Sequence, residues 1–170
     1  MDLKNHIREI SDFPIPGVLF RDITTVLQSS KALKAAVDGM AQMVSDVEFD
    51  AVLGPESRGF IFGMPMSYNM GKGFVPVRKQ GKLPAETQKI EYSLEYGTAV
   101  LEIHKDAVTP GKRFLLVDDL LATGGTAKAA SELVSQMGGI IVAHAFFIEL
   151  TELNGRDVLQ GQDARALITY

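Results

Sequence analysis

Cysteine is absent from the 170-residue sequence, and long apolar runs are absent as well. Without cysteine there is no disulfide framework and no thiolate chemistry, so we expect an intracellular, cytoplasmic protein. The weakly charged stretches 59–71 and 138–148 are interrupted by glycine, proline or histidine, and they fall short of the ~20 residues that span a bilayer. The charged first ten residues, MDLKNHIREI, lack the apolar segment of a secretory signal. We therefore expect no membrane partner.

An excess of positive charge is also missing, because the formal net charge is −4. Such a balance repels nucleic acid, and we expect no nucleic-acid partner. One local exception stands out, since the stretch 72–82 contains four cations and no acid: Lys72, Arg78, Lys79 and Lys82. A patch of this size suits a small polyanion.

The apolar pattern predicts an α/β fold. Short apolar runs at 51–53, 73–78, 98–104, 114–117 and 140–150 read as strands, and helical spacing follows Ser30, Gly59 and Thr126. Continuously apolar strands indicate burial on both faces, hence a mostly parallel sheet flanked by helices. We also predict a helix over residues 3–10, an irregular proline-rich segment after it, and an irregular polar loop over residues 80–94.

The stretch RFLLVDDLLATGGTAKAA, residues 113–130, carries the most specific chemistry. A glycine turn that opens a helix offers free N–H groups and a positive dipole end, which together cradle a phosphate. The hydroxyls of Thr123 and Thr126 add donors. No G-x-x-x-x-G-K-[ST] or G-x-G-x-x-G motif is present, so a nucleoside triphosphate or dinucleotide site is disfavoured.

Two adjacent carboxylates, Asp118 and Asp119, stand just before this turn. Bare negative charge beside a phosphate is unfavourable unless hydroxyl donors lie between them. A ribose supplies such donors, because its 5′-phosphate can dock on the turn while its 2′ and 3′ hydroxyls donate to the carboxylates, with Mg²⁺ nearby offsetting charge. The pair is therefore predicted to bind a sugar diol.

The motif LLVDDLLATGGT resembles the phosphoribosyl pyrophosphate motif of the type I phosphoribosyltransferases. DFPIPGVLFRDIT, GPESRGFIFG, VRKQGKLPAET and LEYGTAVLEIHKDA resemble the adenine phosphoribosyltransferases, and the match runs in order from residue 12 to residue 148. The resemblance implies the type I phosphoribosyltransferase fold, an α/β fold with a mostly parallel central sheet. It implies one domain over 1–170, with a hood and N-terminal helix at 1–30, a core at 31–150 and a flexible lid loop at 79–95.

The same resemblance implies that adenine displaces pyrophosphate from 5-phosphoribosyl-1-pyrophosphate and forms AMP. It places the ribose diol on Asp118 and Asp119, which would contact Mg²⁺ mostly through the substrate. It assigns the 5′-phosphate to Ala122, Thr123, Gly124, Gly125 and Thr126. It assigns pyrophosphate to Arg58, Arg78, Lys79 and Lys82.

For the base, the resemblance implies catalytic roles for Glu95, Tyr96 and Arg58. Enzymes for 6-oxopurines have an aspartate two residues before the first glycine of the turn, where this chain has Ala122, so a carboxylate must come from elsewhere. Adenine would be read by the backbone of Leu19 and Arg21, with Phe20 stacking between them. The family is typically homodimeric, and the helix within 59–71 is a plausible interface.

Two alternatives stay open. One is a phosphoribosyltransferase for another purine such as xanthine, and the other is a regulator that senses phosphoribosyl pyrophosphate and binds DNA. We interpret His144, inside an apolar strand, as a satisfied core histidine, and Gly59 and Gly63 as glycines that permit close helix packing.

Overall fold

The computed structural model describes residues 1–93 and 97–170 and divides them into two units, Met1–Gly39 and Met40–Tyr170. None of the helices in the described ranges is long and apolar enough to cross a membrane.

The first unit contains a hairpin in place of the predicted N-terminal helix. A 3₁₀ turn covers only Leu3–His6, and strand β1 (Arg8–Ser11) then pairs antiparallel with β2 (Leu19–Asp22). The connecting loop is closed by the Asp12 carboxylate, which accepts a 2.7 Å hydrogen bond from the Gly17 N–H. The predicted helix over 3–10 is wrong because residues 8–11 pair with a strand that lies later in the chain. Helix α1 (Thr24–Gln28) follows.

Helix α2 (Ser30–Met43) contains the division between the units. The second unit is built on a seven-stranded sheet in the order β5-β6-β4-β3-β7-β8-β9. Its strands are β3 (Ala51–Pro55), β4 (Gly73–Lys79), β5 (Thr87–Ser93), β6 (Thr98–His104), β7 (Arg113–Leu121), β8 (Ile140–Glu149) and β9 (Ala164–Thr169). The run β4-β3-β7-β8-β9 is parallel, and β6 pairs antiparallel with β4 and β5. The mostly parallel sheet is confirmed.

The helices of the second unit are α3 (Arg58–Asn69), α4 (Gly125–Gln136) and α5 (Gly155–Val158). Helix α3 follows β3 and lies close to the sheet. The close approach leaves no room for a side chain at two positions of the helix, and both are glycine. A Cβ on Gly63 would lie 2.7 Å from the Phe74 ring, and one on Gly59 would lie 2.9 Å from the Val117 carbonyl oxygen. The expected close packing through these two glycines is confirmed.

Two segments differ from the sequence-based expectation. Residues 87–93, predicted as irregular loop, form the edge strand β5, and β9 extends the sheet beyond the predicted core boundary at residue 150. His144 lies in the core as expected, but it is satisfied at one nitrogen only. Its Nε2 lies 2.9 Å from the Ser131 hydroxyl, while Nδ1 is buried without a hydrogen-bond partner.

Candidate active site

The paired acids lie on β7, which continues through them to Leu121 instead of ending at Val117 as predicted. The backbone N–H of Asp119 donates to Asp118 Oδ1 at 2.9 Å, and Arg58 Nε lies 3.1 Å from Asp119 Oδ2. Arg58 opens α3, whose first turn approaches the acids so closely that a Cβ on Gly59 would lie 3.1 Å from Asp118 Oδ1. The structure thus brings Arg58 to the diacid.

Burial shapes the protonation of both acids. Burial and the neighbouring charge of Asp119 raise the pKa of Asp118 well above its ordinary value. Burial also raises the pKa of Asp119, although the Arg58 guanidinium opposes the shift. Two carboxylates crowded at the end of a buried strand are costly unless hydroxyl or cationic partners offset their charge, and buried acids with raised pKa values are typical of ligand sites.

The 122–126 turn joins β7 to α4 and surrounds a small cavity. Gly124 adopts a left-handed conformation with φ of 82°, and α4 begins at Gly125. The cavity has a volume of about 170 Å³ and is lined by the whole turn together with Arg58 and both acids. The residues predicted to hold a phosphate therefore surround one cavity at the start of a helix.

A basic cluster, defined as Arg78, Lys79 and Lys82, lies at the end of β4 and in the turn after it. An acid that the sequence analysis missed organises this cluster. Glu56 accepts the Lys79 backbone N–H at 2.6 Å and the Lys82 ammonium at 2.9 Å, and Arg78 Nε lies 3.5 Å from it. Burial raises the pKa of Glu56, but hydrogen bonds from Lys82 and Lys79 outweigh burial and lower it, so this carboxylate is ionised.

A second cavity of about 410 Å³ connects the basic cluster with the diacid. Its lining includes Glu56, Lys79 and Lys82 on one side and Asp118 and Asp119 on the other. Arg58 and Thr126 line both cavities, in addition to the two acids. The predicted phosphate, diol and pyrophosphate residues are therefore grouped at one edge of the sheet, where the carboxyl ends of β3, β4 and β7 meet.

A buried carboxylate, Glu102 on β6, fixes the turn that carries Lys82. Its Oε1 accepts the backbone N–H groups of Lys82 and Leu83 at 3.0 and 3.1 Å, and only 1% of the residue is exposed. Burial raises the pKa of Glu102, but these backbone hydrogen bonds and the charge of Lys89 outweigh burial and lower it. The sequence analysis missed Glu102, although an acid inside an apolar strand is a recognisable signal.

The other predicted site residues belong to the first unit or lie outside the described residues. Leu19, Phe20 and Arg21 lie on β2 in the first unit, where Phe20 packs edge-on against Phe13 and Arg21 pairs with Glu9. Glu95 and Tyr96 lie outside the described residues. Their roles stay predictions. Within residues 1–93 and 97–170, no three acidic, histidine or cysteine side chains cluster as a metal site.

Comparison with known proteins decides the family. Residues 24–158 match the phosphoribosyl transferase domain. An adenine phosphoribosyltransferase of Pseudothermotoga lettingae is 54% identical over all of both chains, and one of a Cyanothece species is 56% identical over all of both chains. The chain belongs to the adenine phosphoribosyltransferases, in the type I phosphoribosyltransferase family.

Solved phosphoribosyltransferases share the whole architecture. The adenine phosphoribosyltransferase of Thermoanaerobacter pseudethanolicus superposes with a TM-score of 0.97 at 53% identity, covering 99% of this chain and 98% of that one. The enzyme of Saccharomyces cerevisiae, solved with an imino-altritol bisphosphate and adenine, gives a TM-score of 0.91 at 37% identity and covers 98% and 96% of the two chains. The expected type I phosphoribosyltransferase fold is confirmed.

Proposed function

We infer that this chain transfers the 5-phosphoribosyl group of 5-phosphoribosyl-1-pyrophosphate to adenine, forming AMP and releasing pyrophosphate. Full-length identity of 50–56% to adenine phosphoribosyltransferases supports the reaction. The observation that carries the inference from the structure is the grouping of a phosphate-sized cavity, a diacid and a basic cluster at one sheet edge. These three features match the 5′-phosphate, the ribose diol and the pyrophosphate of one substrate.

The ribose 5-phosphate part binds at the end of β7. The 5′-phosphate occupies the 122–126 turn, where free N–H groups at the start of α4 and the hydroxyls of Thr123 and Thr126 donate to its oxygens. The 2′ and 3′ hydroxyls donate to Asp118 and Asp119. These donors and any cation that the substrate brings offset the cost of ionising two buried carboxylates.

The pyrophosphate part binds between Arg58 and the basic cluster. Cleavage of the C1′–O bond builds positive charge on the sugar ring and negative charge on the departing oxygens. Cations that are held in place before the reaction stabilise this charge without having to reorganise. Glu56 holds Lys82 and the backbone of Lys79 in the described structure, which supports its role as the residue that orders the cluster.

Mg²⁺ fits this site only as an ion carried largely by the substrate. Magnesium prefers an octahedron of oxygen ligands, and the described residues offer two adjacent carboxylates, Asp118 and Asp119, rather than a cage. When bound, the ion would neutralise charge on the departing pyrophosphate. The chain's own part is to orient the diol and to hold the cations that face the leaving group.

The adenine end of the reaction is proposed from family resemblance. Leu19 and Arg21 read the 6-amino group and N1 through their backbone, and Phe20 stacks on the ring. Glu95 manages the purine proton, with Tyr96 beside it. The 79–95 segment acts as a lid that excludes water, and within it residues 87–93 form the edge strand β5.

We also propose a homodimer in which α3 forms part of the interface. Met64 and Tyr68 on this helix are 50% and 85% exposed, which supports an apolar contact surface there. The cytoplasmic location stays a prediction.

The reaction is tested by measuring pyrophosphate release with phosphoribosyl pyrophosphate, Mg²⁺ and one free purine at a time: adenine, xanthine, hypoxanthine or guanine. We expect turnover with adenine, no comparable turnover with the 6-oxopurines, and loss of the signal when a chelator is added. Preferential turnover of xanthine would establish the first alternative instead. No release with any base would leave the sensing regulator as the better interpretation.

A further inference from the structure

The 122–126 turn is in contact with a helix that lies outside the sequence motif. Helix α5 begins at Gly155, and a Cβ built on Gly155 would overlap the Ala122 carbonyl oxygen and lie 2.9 Å from Leu121 Cδ1. In the opposite direction, a Cβ on Gly124 would lie 2.6 Å from the Gly155 carbonyl oxygen. The two backbones are therefore in direct contact, and this approach is possible only because both residues are glycine.

This contact fixes the direction of one N–H group in the turn, that of Thr123. The oxygen of Ala122, and not its carbonyl carbon, is the atom nearest to the Gly155 position, so the carbonyl points toward α5. The peptide bond between Ala122 and Thr123 is trans, and in a planar trans peptide the C=O and N–H point in opposite directions. The Thr123 N–H consequently points away from α5. Moving the Ala122 carbonyl would turn this donor.

Gly155 is followed by a half-exposed arginine that pairs with a buried acid. Arg156, the next residue, binds Glu149 through two hydrogen bonds of 2.6 and 2.7 Å, and Glu149 is 4% exposed at the end of β8. Arg156 also donates to the Ala164 carbonyl at the start of β9. A planar two-point contact of this kind restricts orientation as well as distance. The start of α5 is thus fixed to two strands of the sheet.

We propose that Gly155 is a positioning residue for the 122–126 turn, and that the Arg156–Glu149 pair holds it in place. Gly155 touches no substrate. It keeps the Ala122 carbonyl turned toward α5 so that the Thr123 N–H faces the 5′-phosphate. The proposal rests on the proposed function, since it takes the turn to be the 5′-phosphate site.

The test compares ligands for two different subsites. Binding of ribose 5-phosphate and of pyrophosphate, each with Mg²⁺, is measured by titration calorimetry for the wild type and for Gly155→Ala, together with the melting temperature. We expect ribose 5-phosphate to bind about tenfold more weakly or worse, as the loss of one hydrogen bond to a charged group implies. Pyrophosphate binding should be unchanged. The control is Gly73→Ala, where the added Cβ meets only Ala51 Cβ at 4.0 Å and both affinities should be unchanged.

Thr126→Val separates failure of the proposal from failure of the proposed site, because it removes a hydroxyl donor from the turn itself. If Thr126→Val weakens ribose 5-phosphate binding and Gly155→Ala does not, the positioning role is wrong and the phosphate site stands. If neither variant weakens binding, the phosphate site is wrong and the proposal is overturned with it. Equal weakening of both ligands in Gly155→Ala would indicate a purely structural residue.

A milder variant covers the case in which Gly155→Ala does not fold. Arg156→Lys keeps the charge but loses the two-point contact with Glu149. We expect a smaller, severalfold weakening of ribose 5-phosphate binding, with pyrophosphate binding unchanged. Unchanged binding of ribose 5-phosphate by folded Arg156→Lys would contradict the part of the proposal that concerns the ion pair.

Discussion

At the scale of single residues, the diacid offers a test in which activity and stability move in opposite directions. Burial raises the pKa of Asp118 and Asp119, so their ionised forms destabilise the folded chain. Replacing Asp118 with Asn removes that cost, and it also puts an amide donor where the ribose diol needs an acceptor. We expect kcat/KM to fall about 100-fold, or roughly 2–3 kcal/mol, while the melting temperature holds or rises.

The measurements are pyrophosphate release and thermal unfolding. Asp119→Asn should lose as much activity with less gain in stability, because Arg58 already compensates this carboxylate. Asp38→Asn is the control, since Asp38 is an exposed acid paired with Lys34, and neither quantity should change. Full activity in both diacid variants would refute the diol assignment.

The residues that sequence reasoning found and missed differ in one physical respect. Asp118 and Asp119 were predictable because their charges interrupt an apolar run, and that conflict is visible locally. Glu56 was not, because its contacts with Lys79 and Lys82 cross 23 and 26 residues. They depend on the parallel register that sets Pro55 opposite Val77. A patch of like charges in a sequence does not reveal which distant acid orders it.

At the scale of elements, the turn between β4 and β5 depends on one buried carboxylate. Glu102→Gln keeps the shape of the side chain but replaces a charged acceptor for the Lys82 and Leu83 N–H groups with a neutral one. We expect pyrophosphate binding to weaken about fivefold to tenfold while ribose 5-phosphate binding is unchanged. Titration calorimetry with the two ligands measures both.

Glu86→Gln is the matched control for that variant, because Glu86 lies in the same connection between β4 and β5 but is exposed and pairs with Lys105 at 3.3 Å. Its affinities should equal those of the wild type. Parallel weakening of both ligands in Glu102→Gln would show that Glu102 stabilises the unit as a whole and does not position Lys82.

The elements themselves were predictable where burial was complete. The apolar runs of β3, β7 and β8 indicated strands because both of their faces are covered. Strand β5 escaped detection because it lies at the edge of the sheet, where the sequence TQKIEYS needs apolar groups only at Ile90 and Tyr92. Strand β1 was not predicted because its partner, β2, lies beyond a proline-rich loop. Edge and hairpin strands are determined by their partners more than by their own composition.

At the scale of the whole molecule, the relatives favour one reading among the alternatives. Proteins 50–56% identical over at least 97% of their own length are named adenine phosphoribosyltransferases, and neither xanthine transfer nor a sensing regulator receives comparable support. The function is therefore supported both by full-length similarity and by the grouping of the 122–126 turn, the diacid and the basic cluster at one sheet edge. The pH dependence of stability involves a different residue, which lies in the core.

That residue is His144, which couples the stability of the molecule to pH. The Ser131 hydroxyl donates to the Ala127 carbonyl, so it accepts from the Nε2–H of His144, and Nδ1 is buried without a hydrogen-bond partner. Burial lowers the pKa of His144 from 6.5 to about 4, although the backbone and the charge of Asp163 oppose this shift. Between those two values the unfolded chain binds a proton that the folded chain does not, so stability must fall as pH falls.

The expected size of this effect is about 2 kcal/mol of unfolding free energy between pH 7 and pH 5. Urea unfolding of the wild type and of His144→Gln at both pH values isolates it, because a glutamine cannot titrate. Other groups also contribute to the pH dependence of stability. Acids with a lowered pKa, such as Glu102, lose their stabilising effect only at lower pH. Asp118 and Asp119, whose pKa values are raised, change the free energy of unfolding in the opposite sense. Their contributions are common to both proteins and cancel in the difference. The wild type should therefore lose about 2 kcal/mol more than His144→Gln over this interval, and equal losses would mean that His144 is already able to bind a proton in the folded core.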